Sequence, residues 1–514
     1  MNHPPLVGGG RAGLFLTVFV TGAAVMVIEL LGTRMIAPFY GASLYVWSSL
    51  ISITMIALAL GYFVGGRWAD RADRAGLSLV IALAGLLTLA IPWLTRPVLL
   101  ATDPLGLRAG AFASALALFL PSLTMLGMVS PFAIKLYTAR IDGVGSSAGS
   151  IYAVSTVGSV VGTLVLGFFL FPFVGSREIL VGLGVLLLML GLAIAVVEKK
   201  YLGNSRLLPC LFLAALAAGL LPAIVVGRSS GNDQFHIQSE RESLYGWVRV
   251  IDHPANDLRV MTSDASAIGA ETISNGENRL TYQNIVDALP ALAPGIRRAL
   301  VIGLGAGKMA NTLHERYGIA TDTLEIDPAV ADAAADYFGF NPRGKNIIGD
   351  ARYEIRHLTG PYDLIIHDCF TGGSEPAHLL TVETLAQLRG LLSDRGILAL
   401  NFVAFYDGGR NPSLASVSRT LEQVFPHQLF FVSEPGENFN DFIFLATKHP
   451  IDIAAQGLPE AQLAWLTQRK LALDNTRGTI ITDNYNPLEH LQIAKAEHYR
   501  RVVIDAFGPE LMVR

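Results

Sequence analysis

A glycine-rich turn between two apolar segments is the feature that most constrains how this chain folds. The apolar run Ala299–Gly303 leads into the turn Gly303–Gly307, a helical pattern follows, and a second apolar run ends in Glu325 and Asp327. Strand, glycine turn, helix and acid-terminated strand form the first half of a nucleoside-binding α/β fold, in which the acid binds ribose hydroxyls. The sequence therefore predicts an adenosyl-type site with these binding residues: Gly303, Gly305, Gly307 and Glu325.

The region around this turn alternates strands and helices. We predict strands at Ala299–Gly303, Thr321–Ile326, Lys345–Ile348, Tyr362–His367, Gly396–Phe402, Gln428–Val432 and Asp441–Ala446. We predict helices at Lys308–Tyr317, Ala329–Phe338, Ala351–His357, Thr381–Leu392 and Ser413–Val424. This alternation predicts a mostly parallel, doubly wound, Rossmann-like sheet of the class I methyltransferase-like type, with ligands bound beyond the carboxyl ends of its strands.

A shorter β-rich segment precedes the glycine turn. Its predicted strands are Tyr245–Asp252, Leu258–Thr262 and Ala267–Thr272, and a helix is predicted from about Leu280. Short strands separated by turn residues indicate a small β-rich lobe packed before the larger α/β domain.

Two further acids fall at the ends of predicted strands, in the same crevice as Glu325. Asp350 opens a helix, so it is predicted both to cap that helix and to face an adenine ring. Asp368 ends a very apolar strand, and a partly desolvated carboxylate there would act as a base or as a fixed negative charge. The neighbouring His367 is predicted to point away from the crevice, and Cys369 is interpreted as a small buried thiol.

Lys308 departs from the pattern of a dinucleotide site. The NAD fingerprint requires a third glycine at this position, so hydride transfer is disfavoured. Two interpretations of Lys308 stay open: a solvated residue of the first helical turn, or a cation that binds the carboxylate of a substrate.

The N-terminal 230 residues have a different character, with long apolar runs and few charges. About 20 apolar residues span a bilayer, and seven stretches qualify: residues 13–31, 46–66, 77–95, 109–133, 150–172, 178–197 and 207–227. A soluble helical bundle is disfavoured because these runs leave no amphipathic surface helix. Glycine pairs at Gly61 and Gly65, and at Gly158 and Gly162, predict close packing between helices.

We therefore predict a multi-pass protein of the cell (inner) membrane with four regions: a transmembrane helical domain at 1–230, the small lobe at 238–290, the nucleoside-binding domain at 291–448 and a C-terminal helical or tail segment at 449–514. Nine basic residues fall in loops on one side of the seven spans and four on the other, which places the N-terminus in the cytoplasm. Seven spans would then put the soluble half outside, away from the cytoplasmic supply of adenosyl compounds. The side on which the soluble half lies is left open.

The composition limits the classes of partner that this chain is expected to bind. The net charge of −4 and the absence of a basic cluster argue against nucleic acid. The two cysteines, Cys210 and Cys369, have no metal-ligand spacing, so no metal site is predicted. The predicted partners are a lipid bilayer and a small-molecule substrate. The sequence leaves open whether the membrane half anchors the protein, forms a homo-oligomer or conducts a substrate or product.

These residues, in this order, resemble the spermidine synthase family, the polyamine aminopropyltransferases, over roughly Glu240–Lys448. The segments Ile28–Arg34 and Thr482–Glu489 resemble its membrane-fused branch. The resemblance implies a fold that binds decarboxylated S-adenosylmethionine, transfers its aminopropyl group to a diamine and releases methylthioadenosine. It also implies roles for individual residues: Glu325 as ribose ligand, Asp350 on the adenine side, Asp368 as the catalytic acid that deprotonates the amine, and Tyr282 and Gln283 beside the aminopropyl chain and sulfur.

Three positions depart from the family pattern. Ala306 stands where the glycine loop carries an acid, Thr371 where a second acid follows the catalytic one, and Gly246 where the small lobe carries a glutamine. A doubly charged diamine would be bound by several carboxylates. The loss of these groups, with Lys308 beside the loop, favours a substrate that keeps its carboxylate, such as intact S-adenosylmethionine.

Three functional hypotheses follow. The favoured one is an S-adenosylmethionine lyase, in which the substrate's carboxylate closes a homoserine lactone and expels methylthioadenosine; Asp368 would then hold the amino group. The second is aminopropyl transfer to an altered acceptor. The third, from a different class, is a membrane transporter or sensor whose soluble half only binds a nucleoside.

Overall fold

The computed structural model describes residues 9–41, 43–71, 76–138, 143–202, 206–226, 234–292, 295–370, 373–454 and 458–513. Thr371, one of the departures from the family pattern, lies outside the described residues. The chain divides into two compact units. We call Met1–Ser229 with Phe507–Arg514 the helical unit, and Ser230–Ala506 the α/β unit.

Seven α-helices make up the described part of the helical unit. They are α1 (Gly9–Tyr40), α2 (Leu44–Arg71), α3 (Leu77–Thr102), α4 (Gly106–Tyr137), α5 (Val144–Val165), α6 (Ser176–Leu202) and α7 (Leu207–Val226). Five helical stretches are long and apolar enough to cross a membrane. One of the five, Leu77–Tyr137, contains both α3 and α4, which are joined by the 3-10 turn Asp103–Leu105.

Glycines allow the closest approaches between these helices. A Cβ at Gly61 in α2 would lie 2.5 Å from the Thr124 carbonyl oxygen of α4, and one at Gly158 in α5 would collide with the Phe19 carbonyl oxygen of α1. The predicted packing role of these glycines is confirmed, because any side chain would force the helix backbones apart.

The small lobe of the α/β unit is a four-stranded antiparallel sheet in the order β1-β2-β3-β4. Its strands are β1 (His236–Glu242), β2 (Trp247–His253), β3 (Leu258–Ser263) and β4 (Ser266–Thr272). The prediction missed β1, a polar strand that is mostly exposed. The helix predicted from Leu280 is a 3-10 helix over Thr281–Asp287, followed by the short α8 (Leu289–Leu292).

A seven-stranded sheet forms the larger part of this unit. Its strands are β5 (Arg298–Ile302), β6 (Ala320–Glu325), β7 (Asn346–Ile348), β8 (Tyr362–His367), β9 (Leu392–Phe405), β10 (His427–Val432) and β11 (Phe439–Thr447). They lie in the order β10-β11-β9-β8-β5-β6-β7. Five strands, β5 to β9, run parallel, and β11 is antiparallel to both of its neighbours.

The helices of the larger lobe are α9 (Lys308–Tyr317), α10 (Pro328–Phe338), α11 (Ala351–Glu354), α12 (Val382–Leu391) and α13 (Pro412–Glu422), followed by α14 (Glu460–Arg469), α15 (Leu488–Leu491) and α16 (Ile493–Phe507). Buried apolar clusters lie on both faces of the sheet. The predicted parallel-rich, class I methyltransferase-like sheet is therefore present, and it brings the ends of β5, β6 and β8 together because β5 lies between the other two.

Candidate active site

A cavity of about 540 Å³ opens at the carboxyl ends of the parallel strands. Six of the predicted site residues line it: Tyr282, Gly303, Gly305, Glu325, Asp350 and Asp368. Backbone hydrogen bonds fix the strand ends against one another, since the Gly303 amide donates to the Leu324 carbonyl (2.9 Å) and the Asp368 amide to the Ile302 carbonyl (2.8 Å). Hydrogen bonds between neighbouring strands therefore hold the backbone at this end of the sheet.

The glycine turn owes its composition to contacts within the protein. Gly303, Gly305 and Gly307 have φ values of 88°, 51° and 73°, a region in which other residues are strained. A Cβ at Gly303 would collide with the Asp368 carbonyl oxygen, and one at Gly305 with the Ile268 carbonyl oxygen of the small lobe. The prediction assigned these glycines to close ligand approach; the structure shows that close approach of the protein's own backbone already requires the first two.

Glu325 is a fixed, buried carboxylate at the end of β6. Its two oxygens accept hydrogen bonds from the backbone amides of Leu304 and Asp327, both at 2.9 Å. Burial raises the pKa of Glu325 in spite of these bonds. Each carboxylate oxygen has a second lone pair, so Glu325 can still accept hydrogen bonds from the hydroxyls of a ligand.

The two neighbouring acids have different tasks. Asp327 caps α10 through the Ala329 amide (2.9 Å) and accepts a 2.6 Å hydrogen bond from the Ser243 hydroxyl, so it joins the two lobes. Asp350 caps α11 through the Tyr353 amide (3.2 Å), and its exposed side chain lines the cavity. The predicted capping role of Asp350 is confirmed, and contact with an adenine stays a prediction.

Asp368 is held by two side-chain donors. The Tyr282 hydroxyl donates to its Oδ2 (2.8 Å) and the Asn401 amide donates to its Oδ1 (2.9 Å). The Gln283 amide in turn donates to the Tyr282 oxygen at 3.2 Å. Burial raises the pKa of Asp368, although both donors oppose the shift. Burial also raises the pKa of Tyr282 well above its usual value, so this phenol stays protonated and keeps donating.

Asp441 is a site residue that the sequence prediction missed. It lines the cavity, and the Asn401 amide nitrogen that bonds Asp368 also lies 3.4 Å from Asp441 Oδ1. Burial and then the negative charge of Asp368 raise the pKa of Asp441 to about 7. The sites predicted from the sequence lie at the ends of strands, whereas Asp441 is near the start of β11. Because β11 is antiparallel, its start lies at the same edge as the ends of the parallel strands.

A buried ion pair stands behind these carboxylates. Glu375 accepts hydrogen bonds from the Val403 amide (2.7 Å) and the Gln492 side chain (2.7 Å), and it pairs with the Lys495 ammonium of α16. The exposed fraction of the side chain is 3% for Lys495 and 2% for Glu375. Tyr499, on the same helix, lines the cavity and bonds to the Ala267 amide of the small lobe (3.1 Å). The C-terminal helix therefore completes the site.

Lys308 makes its contacts within the protein. Its ammonium pairs with Glu271 Oε2 of the small lobe (2.5 Å) and donates to the carbonyls of Gly276 (3.1 Å) and Phe338 (3.0 Å). Lys308 is not among the described residues that line the cavity. The Lys308 side chain is only 14% exposed and its ammonium holds α9 against the small lobe, so the interpretation as a solvated residue is wrong. Binding of a substrate carboxylate by Lys308 stays a prediction.

Of the remaining residues considered from the sequence, some line the cavity and others lie outside it. Gly307 and Gln283 are not among the described lining residues; a Cβ at Gly307 would lie 2.5 Å from the Phe340 ring, and Gln283 supports Tyr282. His367 is fully buried, and burial lowers its pKa to about 4, in agreement with a structural role. Cys369 lines the cavity, but burial and nearby carboxylates raise its pKa well above the usual value, which disfavours a thiolate nucleophile.

Acids dominate the described walls of the cavity. Seven carboxylates line it: Glu325, Asp327, Asp350, Asp368, Glu434, Glu437 and Asp441. The basic side chains among the described lining residues are Arg279 and His378. Clefts lined by one sign of charge concentrate ligands of the opposite sign. The cavity is therefore suited to a cation, and three of these carboxylates, Glu434, Glu437 and Asp441, come from the β10–β11 hairpin.

Comparison with known proteins gives relatives of two kinds. The polyamine aminopropyltransferase of Vibrio vulnificus is 30% identical over 324 residues, which cover 60% of this chain and 99% of that protein. The N-terminal histidine N-methyltransferase of Emericella nidulans is 31% identical over 314 residues, which cover 54% of each chain, so about half of that relative is matched. No family model matches the chain.

Solved structures give a further likeness. A probable spermidine synthase from Corynebacterium glutamicum superimposes with a TM-score of 0.37 at 19% identity, covering 46% of this chain and 96% of that one. The bacterial relative from Vibrio vulnificus is matched along nearly its whole length at 30% identity. The chain therefore belongs to the polyamine aminopropyltransferase, or spermidine synthase-like, family.

Proposed function

We propose that the α/β unit is a transferase that moves the aminopropyl group of decarboxylated S-adenosylmethionine to a cationic amine and releases methylthioadenosine. The observation that carries this proposal is a partly buried carboxylate, Asp368, held by Tyr282 and Asn401 in a cavity whose charged lining residues are mostly acids. The relatives are aminopropyltransferases and methyltransferases, which supports group transfer from an adenosyl sulfonium as the class of reaction.

The glycine turn and the first two strand ends would hold the donor. Glu325, fixed by two backbone amides, has lone pairs for ribose hydroxyls, and Asp350 lies at the edge of the cavity for the adenine side. Both lobes contribute, because Ile268 of the small lobe lines the cavity together with Gly303 and Gly305 of the turn. The sulfonium would then lie near Asp368, whose charge opposes its own.

The chemical step needs a free amine next to the sulfonium. Asp368 takes a proton from the acceptor's ammonium, and the amine lone pair forms a bond to the propyl carbon attached to sulfur. The C–S bond breaks, and its electron pair stays on sulfur as methylthioadenosine. Because burial raises the pKa of Asp368, the carboxylate becomes a stronger base than a solvated aspartate.

The lyase remains the second candidate, and two residues support it. Ala306 stands where the family has an acid, and it is 1% exposed. It packs so tightly against Gly269 that a Cβ added at Gly269 would collide with the Cβ of Ala306. Arg279 lines the cavity and is a cation that a substrate carboxylate could contact. Against the lyase stand the pairing of Lys308 with Glu271 and the excess of carboxylates, which repel a substrate carboxylate.

Product analysis of the purified full-length protein separates the candidates. Transfer predicts methylthioadenosine and an aminopropylated amine when decarboxylated S-adenosylmethionine and 1,4-diaminobutane are both supplied. The lyase predicts methylthioadenosine and homoserine lactone from S-adenosylmethionine alone. Nucleoside binding without turnover of any of these mixtures would favour the sensor or transporter hypothesis. The control is Asp368→Asn, which should abolish an enzymatic signal.

For the helical unit, we propose a membrane domain that crosses the bilayer seven times. Large apolar side chains face outward at high exposure: Phe168 at 73%, Phe173 at 84% and Leu208 at 80%. Such a surface is costly in water and favourable in lipid. Resistance of the full-length protein to alkaline carbonate extraction tests the membrane setting, and reporter enzymes fused to the C-terminus determine on which side the α/β unit lies.

A further inference from the structure

An acidic residue of the helical unit lies at the contact between α1 and α2. The Thr54 hydroxyl of α2 is close enough to the carboxyl group of Glu29 in α1 to act on its charge. A Cβ at Gly32, about one turn beyond Glu29, would lie 2.7 Å from Leu50 Cδ2. Leu50 in turn lies one turn before Thr54, so the two helices run antiparallel here, and this register also places Thr54 beside Glu29.

Three polar atoms at this contact lack partners. Glu29 Oε2, Thr33 Oγ1 and Thr54 Oγ1 are buried, and none of them forms a hydrogen bond with the described residues. Thr33 follows Glu29 by one turn on the same face of α1. Thr33 is 7% exposed and Thr54 is 1% exposed. Burying a charge or a hydroxyl without a partner is unfavourable, and in a membrane an acidic side chain indicates a functional site.

Other threonines of this unit show that the missing bonds are unusual. The ordinary partner of a threonine hydroxyl inside a helix is the carbonyl four residues earlier. Seven described threonines of the helical unit make this bond: Thr17, Thr21, Thr88, Thr95, Thr102, Thr156 and Thr163. Thr33 and Thr54 are among those that do not. Their hydroxyl oxygens are therefore available to a ligand that also contacts Glu29.

A rare helical element lies at the same level of the unit. The chain after α5 forms a π-helical turn, Leu166–Leu170. On one side of this turn, a Cβ at Gly162 would lie 2.8 Å from the Ala23 Cβ of α1. On the other side, the Arg34 guanidinium of α1 lies 4.0 Å from the centre of the Phe171 ring. The π-helical turn is therefore beside the part of α1 that carries the acid, and such turns are frequent at functional sites.

The charge and the atom types indicate which ligand fits. Carboxylate and hydroxyl oxygens are suitable ligands for hard cations. The described residues contain no group of three or more acidic, histidine or cysteine side chains that could hold a metal ion. A divalent cation beside a single carboxylate would keep an uncompensated charge in apolar surroundings. A proton would satisfy one carboxylate oxygen and leave both hydroxyl oxygens without a donor, whereas an alkali cation contacts all three.

We propose that the helical unit binds a monovalent cation, Na⁺, through Glu29 Oε2, Thr33 Oγ1 and Thr54 Oγ1. This inference rests on the proposed membrane domain and adds a ligand to it, and it is independent of the proposed transferase function. Because the ligands come from two helices, the bound cation holds α1 and α2 together. Its release leaves an uncompensated carboxylate between them.

The test measures modification of Glu29 by dicyclohexylcarbodiimide, which reacts with protonated carboxyl groups in apolar surroundings. Bound Na⁺ keeps the carboxylate ionised and so protects it. Purified full-length protein in detergent is treated over a series of NaCl concentrations, with choline chloride keeping the ionic strength constant, and the modified peptide is quantified by mass spectrometry. The rate should fall roughly 10-fold once Na⁺ exceeds its Kd about tenfold, and choline should give no protection.

Substitutions of threonine identify the ligands. Thr54→Val removes one oxygen with little change in size, so the Na⁺ concentration for half-protection should rise roughly 10-fold. Thr54→Ser keeps the hydroxyl and should retain the protection seen in wild type. The matched control is Thr95→Val, because Thr95 is fully buried but its hydroxyl donates to the Ile91 carbonyl at 2.8 Å. Protection in this control should equal that of wild type.

Equal modification of Glu29 in NaCl and in choline chloride would overturn the proposal, since the carboxyl group would then bind only a proton. Unchanged half-protection in Thr54→Val would also contradict it; if that variant does not fold, Thr33→Val replaces it with the same prediction. If Glu29 is modified in neither salt, thermal unfolding decides: Na⁺ should raise the midpoint of wild type relative to choline, but not that of Glu29→Gln, and equal midpoints would refute the site. Carbonate extraction tests the membrane setting separately, so these failures leave it standing.

Discussion

The two halves of the cavity are built on different physical principles. One half, which we call the glycine-loop half, consists of Gly303–Gly307, Glu325 and Asp350, and backbone groups determine its shape. The other, the carboxylate half, consists of Asp368, Asn401 and Asp441, and its shape depends on hydrogen bonds between side chains. A site shaped by the backbone is suited to a ligand group that many enzymes bind. A site shaped by side chains can be changed by substitution to accept a different second substrate, without a change of fold.

Because of this difference, we predict that variants in the carboxylate half mainly change turnover, whereas variants in the glycine-loop half mainly change nucleoside affinity. The largest expected effect is in the carboxylate half. Asp368→Asn removes the base but preserves its size, so kcat should fall about 10³-fold, while the Kd for methylthioadenosine should change little. Steady-state kinetics and calorimetry measure the two quantities. A loss of nucleoside affinity as large as the loss of kcat would contradict the division into halves.

The next largest effect concerns the support of the carboxylate half. Lys495→Met leaves Glu375 buried without its cation, and breaking a buried pair costs about 3 kcal/mol of the free energy of unfolding. The midpoint of thermal unfolding of the full-length protein should fall accordingly. The exposed Lys470 provides a matched control, and Lys470→Met should have no measurable effect. The double variant Lys495→Met/Glu375→Gln should recover part of the loss, which a general packing defect would not allow.

In the glycine-loop half, Glu325→Gln should weaken the binding of the aminopropyl donor. Replacing a charged acceptor by a neutral amide reduces hydrogen-bond strength by about 1–2 kcal/mol, or roughly 10-fold in the Kd for methylthioadenosine. The KM for the acceptor amine should stay near the wild-type value when the donor is saturating. An increase confined to the acceptor KM would reverse the assignment of the two halves.

The smallest effect on function is expected at Lys308, although this residue adjoins the loop. Lys308→Met loses the largely buried contact with Glu271 and lowers the free energy of unfolding by about 1–3 kcal/mol, but nucleoside affinity and turnover should stay within about 3-fold of wild type. A lyase that uses this lysine to bind a substrate carboxylate would instead lose most of its activity. Kinetics with S-adenosylmethionine alone and with the amine mixture decide between these outcomes.

The sequence could predict the glycine-loop half because its signals are local. A buried apolar strand, a turn that needs positive φ and an acid at the next strand end lie within one short segment, and the structure places Gly303, Gly305 and Glu325 as expected. Asp368 was predictable for the same reason. The apolar strands of the larger sheet were predictable as well, whereas the polar strand β1 carried no such pattern.

The carboxylate half could be predicted only in part, because long-range contacts assemble it. Asp441 reaches the cavity through the reversed direction of β11, and Lys495 through the return of a C-terminal helix to the sheet. The position of Lys308 depended likewise on Glu271, in a different lobe. Residue type and spacing along the chain do not encode which of these groups meet.

Independent binding of a ligand by each half of the cavity is the most direct consequence of their separate construction. Calorimetric titration of wild-type protein with 1,4-diaminobutane, in the absence and presence of saturating methylthioadenosine, measures this. We predict that one equivalent of amine binds in both cases, with equal or higher affinity in the nucleoside complex. Competition between the amine and methylthioadenosine for a single site would contradict the account.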